Sequence, residues 1–568
     1  MAGLDHNNPL YRLQTDFAQL RVLIVDRHSS ARDVLRQMLA TLGITHIHSA
    51  GSATEVLRQV RGNRFDIIFS DYLLEDGRDG QQLLEELRVQ NMVSRATVFI
   101  VVTSERSARN VVSVAELTPD DYLVKPFTSD QLLGRLGRSL FRKQTFAKAL
   151  QLYEGGAYQK ALTACDELLQ KNSDLTIDAL RLKGEILLGL DRRDDAEQLY
   201  REVLATRPLP WAKIGLAEAL RGMRRLDEAV VLAREVVTDH PHYMAAHDFY
   251  ARTLEESGQL IEAQATLASA AELSPHNTLR QRRVGEIAVR NGDLDTAEQA
   301  YQTALRRARG SSLVSVDDYT NLSRVFLDRG KVAQAKTVAL DLRRDRRNDP
   351  VSEVAASITE SLCFGKEGDA SKAREALDKA LQAQQTLLGE DQGLPEKIAV
   401  DLADACFAGG RPDAARDILR RVAFEHPDAP LLHAQIEQVF GRAGNAADGK
   451  ALLDEVAREI GGAREESERA ARSGDLADSM AALCRHADRI PNVQFLVNAA
   501  NAVFQLIDQQ GWKHDTAEHG LRYLLRATAK DPKNPKVIAC NELFQNVAHK
   551  YGVSVANFRQ QVLEGKSD

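Results

Sequence analysis

The chain has 568 residues, too many for one hydrophobic core, so two or more domains or a repeat array are expected. Charged residues make up 27%, aromatics 5%, and the formal net charge is -7, which excludes a global electrostatic footprint for nucleic acid. No segment approaches the roughly 20 consecutive apolar residues that span a bilayer. The N-terminal stretch to residue 20 carries acids and lacks the apolar core of a signal peptide.

The cysteines Cys165, Cys363, Cys406, Cys484 and Cys540 are odd in number and widely scattered, which fits a reducing, cytoplasmic compartment better than a disulfide or zinc framework. A basic run at 343–347 is interrupted and bracketed by aspartates, as on a solvated helix end, and points to no nucleic acid.

After an extension at 1–20, short apolar runs at 22–25, 44–47, 67–69, 98–102 and 122–124 alternate with amphipathic stretches such as 31–42 and 81–89. Five strands separated by helices predict one doubly wound, five-stranded parallel sheet of flavodoxin-like type. Reactive groups gather at the carboxyl ends of such strands. There the sequence offers Asp26, Asp71, Thr103 and Lys125. An aspartate that attacks a phosphoryl group must have its charge neutralised, by a divalent cation and a lysine, and a nearby hydroxyl can bond a new phosphoryl oxygen.

The stretches FDIIFSDYLLEDGRDG, VFIVVTS and DYLVKPF resemble the response-regulator receiver family over the whole 21–143 region. The resemblance implies Asp71 as phosphoacceptor and Asp26 as the first acid after strand one. It implies Thr103 and Tyr122 as switch residues and Lys125 as the pocket lysine. The metal ligands for magnesium would be Asp26, Asp71 and the backbone carbonyl of Leu73.

Two departures stand out. Arg27 occupies the place of the family's second acid, and the loop after Asp71 reaches its Asp-Gly one residue late, which displaces Leu73. A cation in place of a carboxylate removes a ligand from magnesium's octahedral set and adds repulsion, so weak binding is expected. Arg27 admits three readings. It points to solvent, with Glu75 or Asp76 lending an oxygen; it pairs with Asp71 or Asp26 as a fixed cation; or it helps hold an incoming phosphoryl group. We adopt the second as the expectation, which makes the domain a pseudo-receiver.

Residues 129–152 carry apolar positions at helical spacing without proline, so the last receiver helix should run almost directly into the first helices of the C-terminal region. From 144 to 568 no strand is read, and the chain repeats with a period of about 34 residues. The copies centre on alanines 161, 196, 229, 263, 297, 335, 373 and 415, several with a glycine five residues earlier (156, 258, 292, 330, 368, 410). Prolines 208, 241, 275 and 427 close four of them. This register resembles the tetratricopeptide repeat and implies about ten antiparallel helix pairs in an all-α superhelix, degenerate after 430. Gly474 with Pro491, and the stretch 495–532, still read as helix pairs.

Nothing after 144 forms a nucleophile, metal or phosphate-cradling motif, so no enzyme is expected. The expected function is a signal-transduction adaptor that binds protein partners through the repeats, without nucleic acid or membrane insertion. The alternatives are a conventional phospho-switch taking phosphate on Asp71 from a histidine kinase, and a constitutive scaffold for a pilus or chemosensory assembly. Family resemblance further implies a homodimer through the receiver.

Overall fold

The structure is a computed structural model that describes residues 17–75, 78, 80–104, 119–171, 175–275, 277–311, 313–389, 393–472, 476–490, 492–532 and 534–564. The chain divides into two compact units, Met1–Asp318 and Tyr319–Asp568.

In the first unit, strands β1 (Arg21–Val25), β2 (His46–Ala50), β3 (Ile67–Asp71), β4 (Val98–Thr103) and β5 (Asp121–Val124) form a parallel sheet of order β2-β1-β3-β4-β5. Helices α1 (Ser29–Thr41), α2 (Ala53–Gly62) and α3 (Gly80–Val89) connect them. Because side chains alternate along a strand, Leu23, Val25, Ile68, Phe99 and Val101 fill one face, and Val22, Ile24, Ile67, Phe69, Ile100 and Val102 fill the other. Both faces are therefore covered, as a doubly wound sheet requires.

The second strand lies later than the apolar run at 44–47 suggests. Ile44 is a buried loop residue packed with Leu35 and Leu39, while β2 is an edge strand whose exposed His46 and His48 need no apolar run.

Helix α4 (Ser129–Glu154) starts at a capping box in which the Thr128 hydroxyl accepts the Gln131 N–H and the Gln131 side chain accepts the Thr128 N–H. It is one uninterrupted helix of 26 residues. Its first half packs Leu132, Leu136 and Leu140 on the sheet, and its second half packs Phe146, Ala149 and Leu150 on the next helices of the chain. The helices that follow are α5 (Tyr158–Lys171), α6 (Thr176–Gly189), α7 (Arg193–Thr206), α8 (Pro210–Gly222), α9 (Leu226–Asp239), α10 (Met244–Glu256), α11 (Leu260–Leu273), α12 (Thr278–Arg290) and α13 (Leu294–Ala308).

The repeat register is visible in the packing. Alanines 161, 196, 229, 263, 297, 335 and 415 are fully buried, where two helices touch, whereas Ala373 is only half-buried. The turn glycines 156, 258, 292, 330, 368 and 410 all have φ between +70° and +81°. In two copies without glycine, Asp191 and Arg224 hold the same turn at φ 60° and 64°. Tyr200 lies between Gly184 and Gly215: a Cβ would come 2.4 Å from its hydroxyl at 184 and 2.3 Å from its Cζ at 215.

The second unit continues as helix pairs. Pro350–Glu367 and Ala370–Gly389 have 18 and 20 residues against 13 or 14 in most earlier repeats, which accounts for the wider spacing of the alanines there. Of the basic run, Arg344 and Arg346 behave as a solvated helix end, pairing with Asp341, Asp345 and Asp349. Arg343 does not. It is partly buried and donates to Glu353, Glu360 and Ser357, stitching two helices together. Gly474, Pro491 and Asp76 lie outside the described residues, while Leu476–Arg489, Val493–Gln510 and His514–Lys530 are helical. Among the described residues no helix is long and apolar enough to cross a membrane.

Candidate functional site

The parallel register brings the strand ends together. β3 ends on Asp71, which pairs with Val102 one residue before the end of β4 at Thr103, and Thr103 pairs with Val124 next to Lys125. Asp26 follows β1 and is tied to β2 by its N–H to the Ala50 carbonyl at 3.1 Å. Asp26, Asp71 and Thr103 are 5%, 9% and 6% exposed, so the pocket is polar and largely withdrawn from water.

Lys125 is the centre of the pocket. Its Nζ donates to Asp26 Oδ2 and Asp71 Oδ1, both at 2.7 Å, and its backbone N–H donates to the Thr103 carbonyl at 2.8 Å. Burial disfavours the ammonium, but the bonds to the two carboxylates outweigh it and hold Lys125 above the ordinary lysine value. Asp26 Oδ1 accepts the His28 N–H at 2.8 Å, and the Asp26 carbonyl accepts from Arg32 at 2.6 Å.

Arg27 is not in the pocket. It is exposed, and its Nε donates to His28 Nε2 at 3.0 Å. The expectation that its guanidinium pairs with Asp71 or Asp26 is therefore corrected: the residue after Asp26 points outward, and Lys125 bridges the two acids. Glu75 lies against Gly51. A Cβ at Gly51 would meet its Oε2 at 2.6 Å, and its N–H donates to the Gly51 carbonyl at 3.1 Å.

The lengthened loop after Asp71 is braced by Leu74 N–H to Arg78 O at 3.0 Å and Gly80 N–H to Tyr72 O at 2.7 Å, with the Leu73 side chain exposed. Gly80 is a position that sequence reasoning did not single out. A Cβ there would lie 2.5 Å from the Asp71 carbonyl, so only glycine lets α3 start this close to the end of β3. The late Asp-Gly was its signal. Tyr122 is half-buried against the core that contains Leu87, Phe99 and Val101, with its hydroxyl unpartnered among the described residues; burial, reinforced by Asp121, pushes the phenol above its ordinary value.

Among the described residues no group of three or more metal-ligating side chains forms. Asp26 and Asp71 converge as two carboxylates, and magnesium takes few protein oxygens because it keeps several waters.

Residues 22–137 match the response regulator receiver domain family, and residues 250–312 and 366–436 match tetratricopeptide repeat families. The chemotaxis protein CheY of Pseudomonas aeruginosa is 29% identical over 117 residues, which is 21% of this chain and 93% of that protein. Among solved structures, the chemotaxis response regulator CheY4 of Vibrio cholerae is 28% identical, covering 21% of this chain and 98% of that one with a TM-score of 0.20. The MamA protein is 17% identical, covering 33% of this chain and 97% of that one with a TM-score of 0.29.

Proposed function

We propose, for a chain that joins a response regulator receiver domain to tetratricopeptide repeats, that it is a protein-binding signalling adaptor whose receiver controls the repeats. The observation that carries this reading is Lys125 bridging Asp26 and Asp71 at 2.7 Å each, in a domain whose last helix continues into the first repeat. Asp71 serves as the phosphoacceptor, Lys125 neutralises the charge that builds on it, and Thr103 and Tyr122 respond to the new phosphoryl group. Magnesium, held by Asp26, Asp71 and the Leu73 carbonyl, would supply the remaining positive charge. With no carboxylate at the place of the family's second acid, its binding is weak, which keeps the receiver atypical.

The domain limits are 21–143 and 144–568. Protein partners bind the repeats in the cytoplasm, a histidine kinase supplies phosphate, and neither nucleic acid nor catalysis is involved. Homodimerisation through the receiver fits the same reading.

Incubation of the full chain with acetyl phosphate and magnesium is expected to phosphorylate Asp71 slowly, with no label in Asp71→Asn. Arg27→Asp is expected to tighten magnesium binding tenfold or more, because next to Asp26 it exchanges a charge that repels the cation for one that attracts it. No label in either wild type or Arg27→Asp would overturn the switch and leave the receiver as a docking module, in which case Asp71→Ala would leave partner capture unchanged.

A further inference from the structure

Helix α3 is buried on more sides than a sheet can cover. Gln82, Leu83, Leu84, Glu85, Glu86 and Leu87 are all at most 5% exposed. Successive residues step about 100° around a helix, so six in a row cover its whole circumference, whereas a helix lying on a sheet hides one stripe. The three leucines face the sheet. Glu86 takes the buried Arg78 guanidinium at 3.0 Å. Gln82 reaches away from the receiver: its Nε2 donates to the carbonyl of Arg307, at the end of α13, at 3.0 Å.

The loop after α3 makes a second contact with the repeats. Glu154, the last residue of α4, accepts the Ser94 hydroxyl at 2.9 Å and the Arg95 N–H at 2.5 Å. The Arg95 guanidinium pairs with Glu185 of α6 at 3.0 Å and lies 5.3 Å from the centre of the Tyr153 ring. One edge of the receiver thus touches repeats more than 120 positions apart in the chain, at Glu185 and at Arg307.

We propose that this edge, formed by Gln82, Ser94 and Arg95, is a latch: the receiver occupies repeat surface between α6 and α13 that an incoming protein partner would otherwise use. The proposal rests on the adaptor reading given above. The pocket has a direct mechanical path to the latch, because Gly80 at the start of α3 bonds the Tyr72 carbonyl and sits against the Asp71 carbonyl. A backbone shift at the phosphoacceptor moves the first turn of α3, two residues from Gln82.

The test uses the full chain and hydrogen exchange. Arg95→Glu places a carboxylate against Glu154 and Glu185; amide exchange over 80–95 and over α6 is expected to rise at least tenfold, with helix content by circular dichroism unchanged. Adding Glu185→Arg to that variant is expected to restore most of the protection. A labelled peptide of residues 80–95 is expected to bind the opened Arg95→Glu chain saturably and the wild type at least tenfold more weakly. Unchanged exchange in Arg95→Glu, or failure of the peptide to bind it, overturns the latch. Gln82→Ala gives the same readout if Arg95→Glu does not fold. Capture of a partner by the opened chain is scored separately, so that an adaptor without a latch, and a latch without a partner, give different results.

Discussion

Replacing Lys125 by methionine is expected to lower the receiver's stability by about 2 kcal/mol in urea unfolding at neutral pH. Asp26 and Asp71, 5% and 9% exposed, would then face each other with no cation between them. Removing one partner from a fully buried ion pair costs about 3–5 kcal/mol. The Lys125 side chain is 29% exposed, so water screens part of the repulsion and the smaller figure is expected. Methionine keeps the length and apolar stem, so the loss reports charge more than packing.

The pH dependence has a definite sign. Lys125 is held above its ordinary value, so its stabilising contribution is complete below the unfolded-chain value of about 10.4 and fades as pH rises through the folded-state value. The stability difference between wild type and Lys125→Met should therefore be flat from neutral pH to about 10 and shrink above it. A difference that is already absent at neutral pH would show that the two acids do not depend on this lysine.

The second large effect is at the repeat packing. Gly215→Val is expected to destabilise the first unit by about 3 kcal/mol, the upper end of what overpacking a core costs. The new Cβ would lie 2.3 Å from Tyr200 Cζ, and the ring cannot retreat because Gly184 already touches its other side. Valine's better helix propensity offsets only a few tenths of a kcal/mol. Trp211, with its ring centre 6.2 Å from that of Tyr200, gives a fluorescence report of the transition. Tyr200→Ala removes the obstacle, so the double variant Tyr200→Ala, Gly215→Val should be far less destabilised than the sum of the two singles. Additive losses would place the strain elsewhere.

Much of this architecture is written in local patterns. The central strands are apolar runs because both their faces are covered, and the pocket residues come directly after them, so Asp71, Thr103 and Lys125 could be placed before any coordinates. The repeat turns carry glycine at positive φ, a requirement that acts on one residue at a time and so leaves a mark in the sequence. The edge strand leaves no such mark, since it is half exposed, and its position was misjudged by two residues.

What stayed hidden depends on direction and on distant partners. Adjacent residues after β1 diverge, so Arg27 leaves the pocket although Asp26 stays in it. Whether a guanidinium turns toward a carboxylate or toward a neighbouring imidazole is not encoded in its place along the chain. Gln82 and Glu86 read as the wet face of an amphipathic helix, yet Gln82 is held by the repeats at Arg307 and Glu86 by the buried Arg78. Arg343 reads as one charge in a mixed run, yet two glutamates on the next helix fix it.

The single helix from Ser129 to Glu154 also sets the angular phase between the two modules, like a keyed shaft. Inserting one residue near its middle would turn everything downstream by about 100° and advance it by about 1.5 Å, whereas three or four residues would bring the phase back to within about 60° of where it began. The tolerated changes of length at this junction are therefore close to whole turns. A graft of this receiver onto another repeat array would have to match rotation as well as sequence, since Leu140 belongs to one core and Phe146, six residues on, belongs to the other.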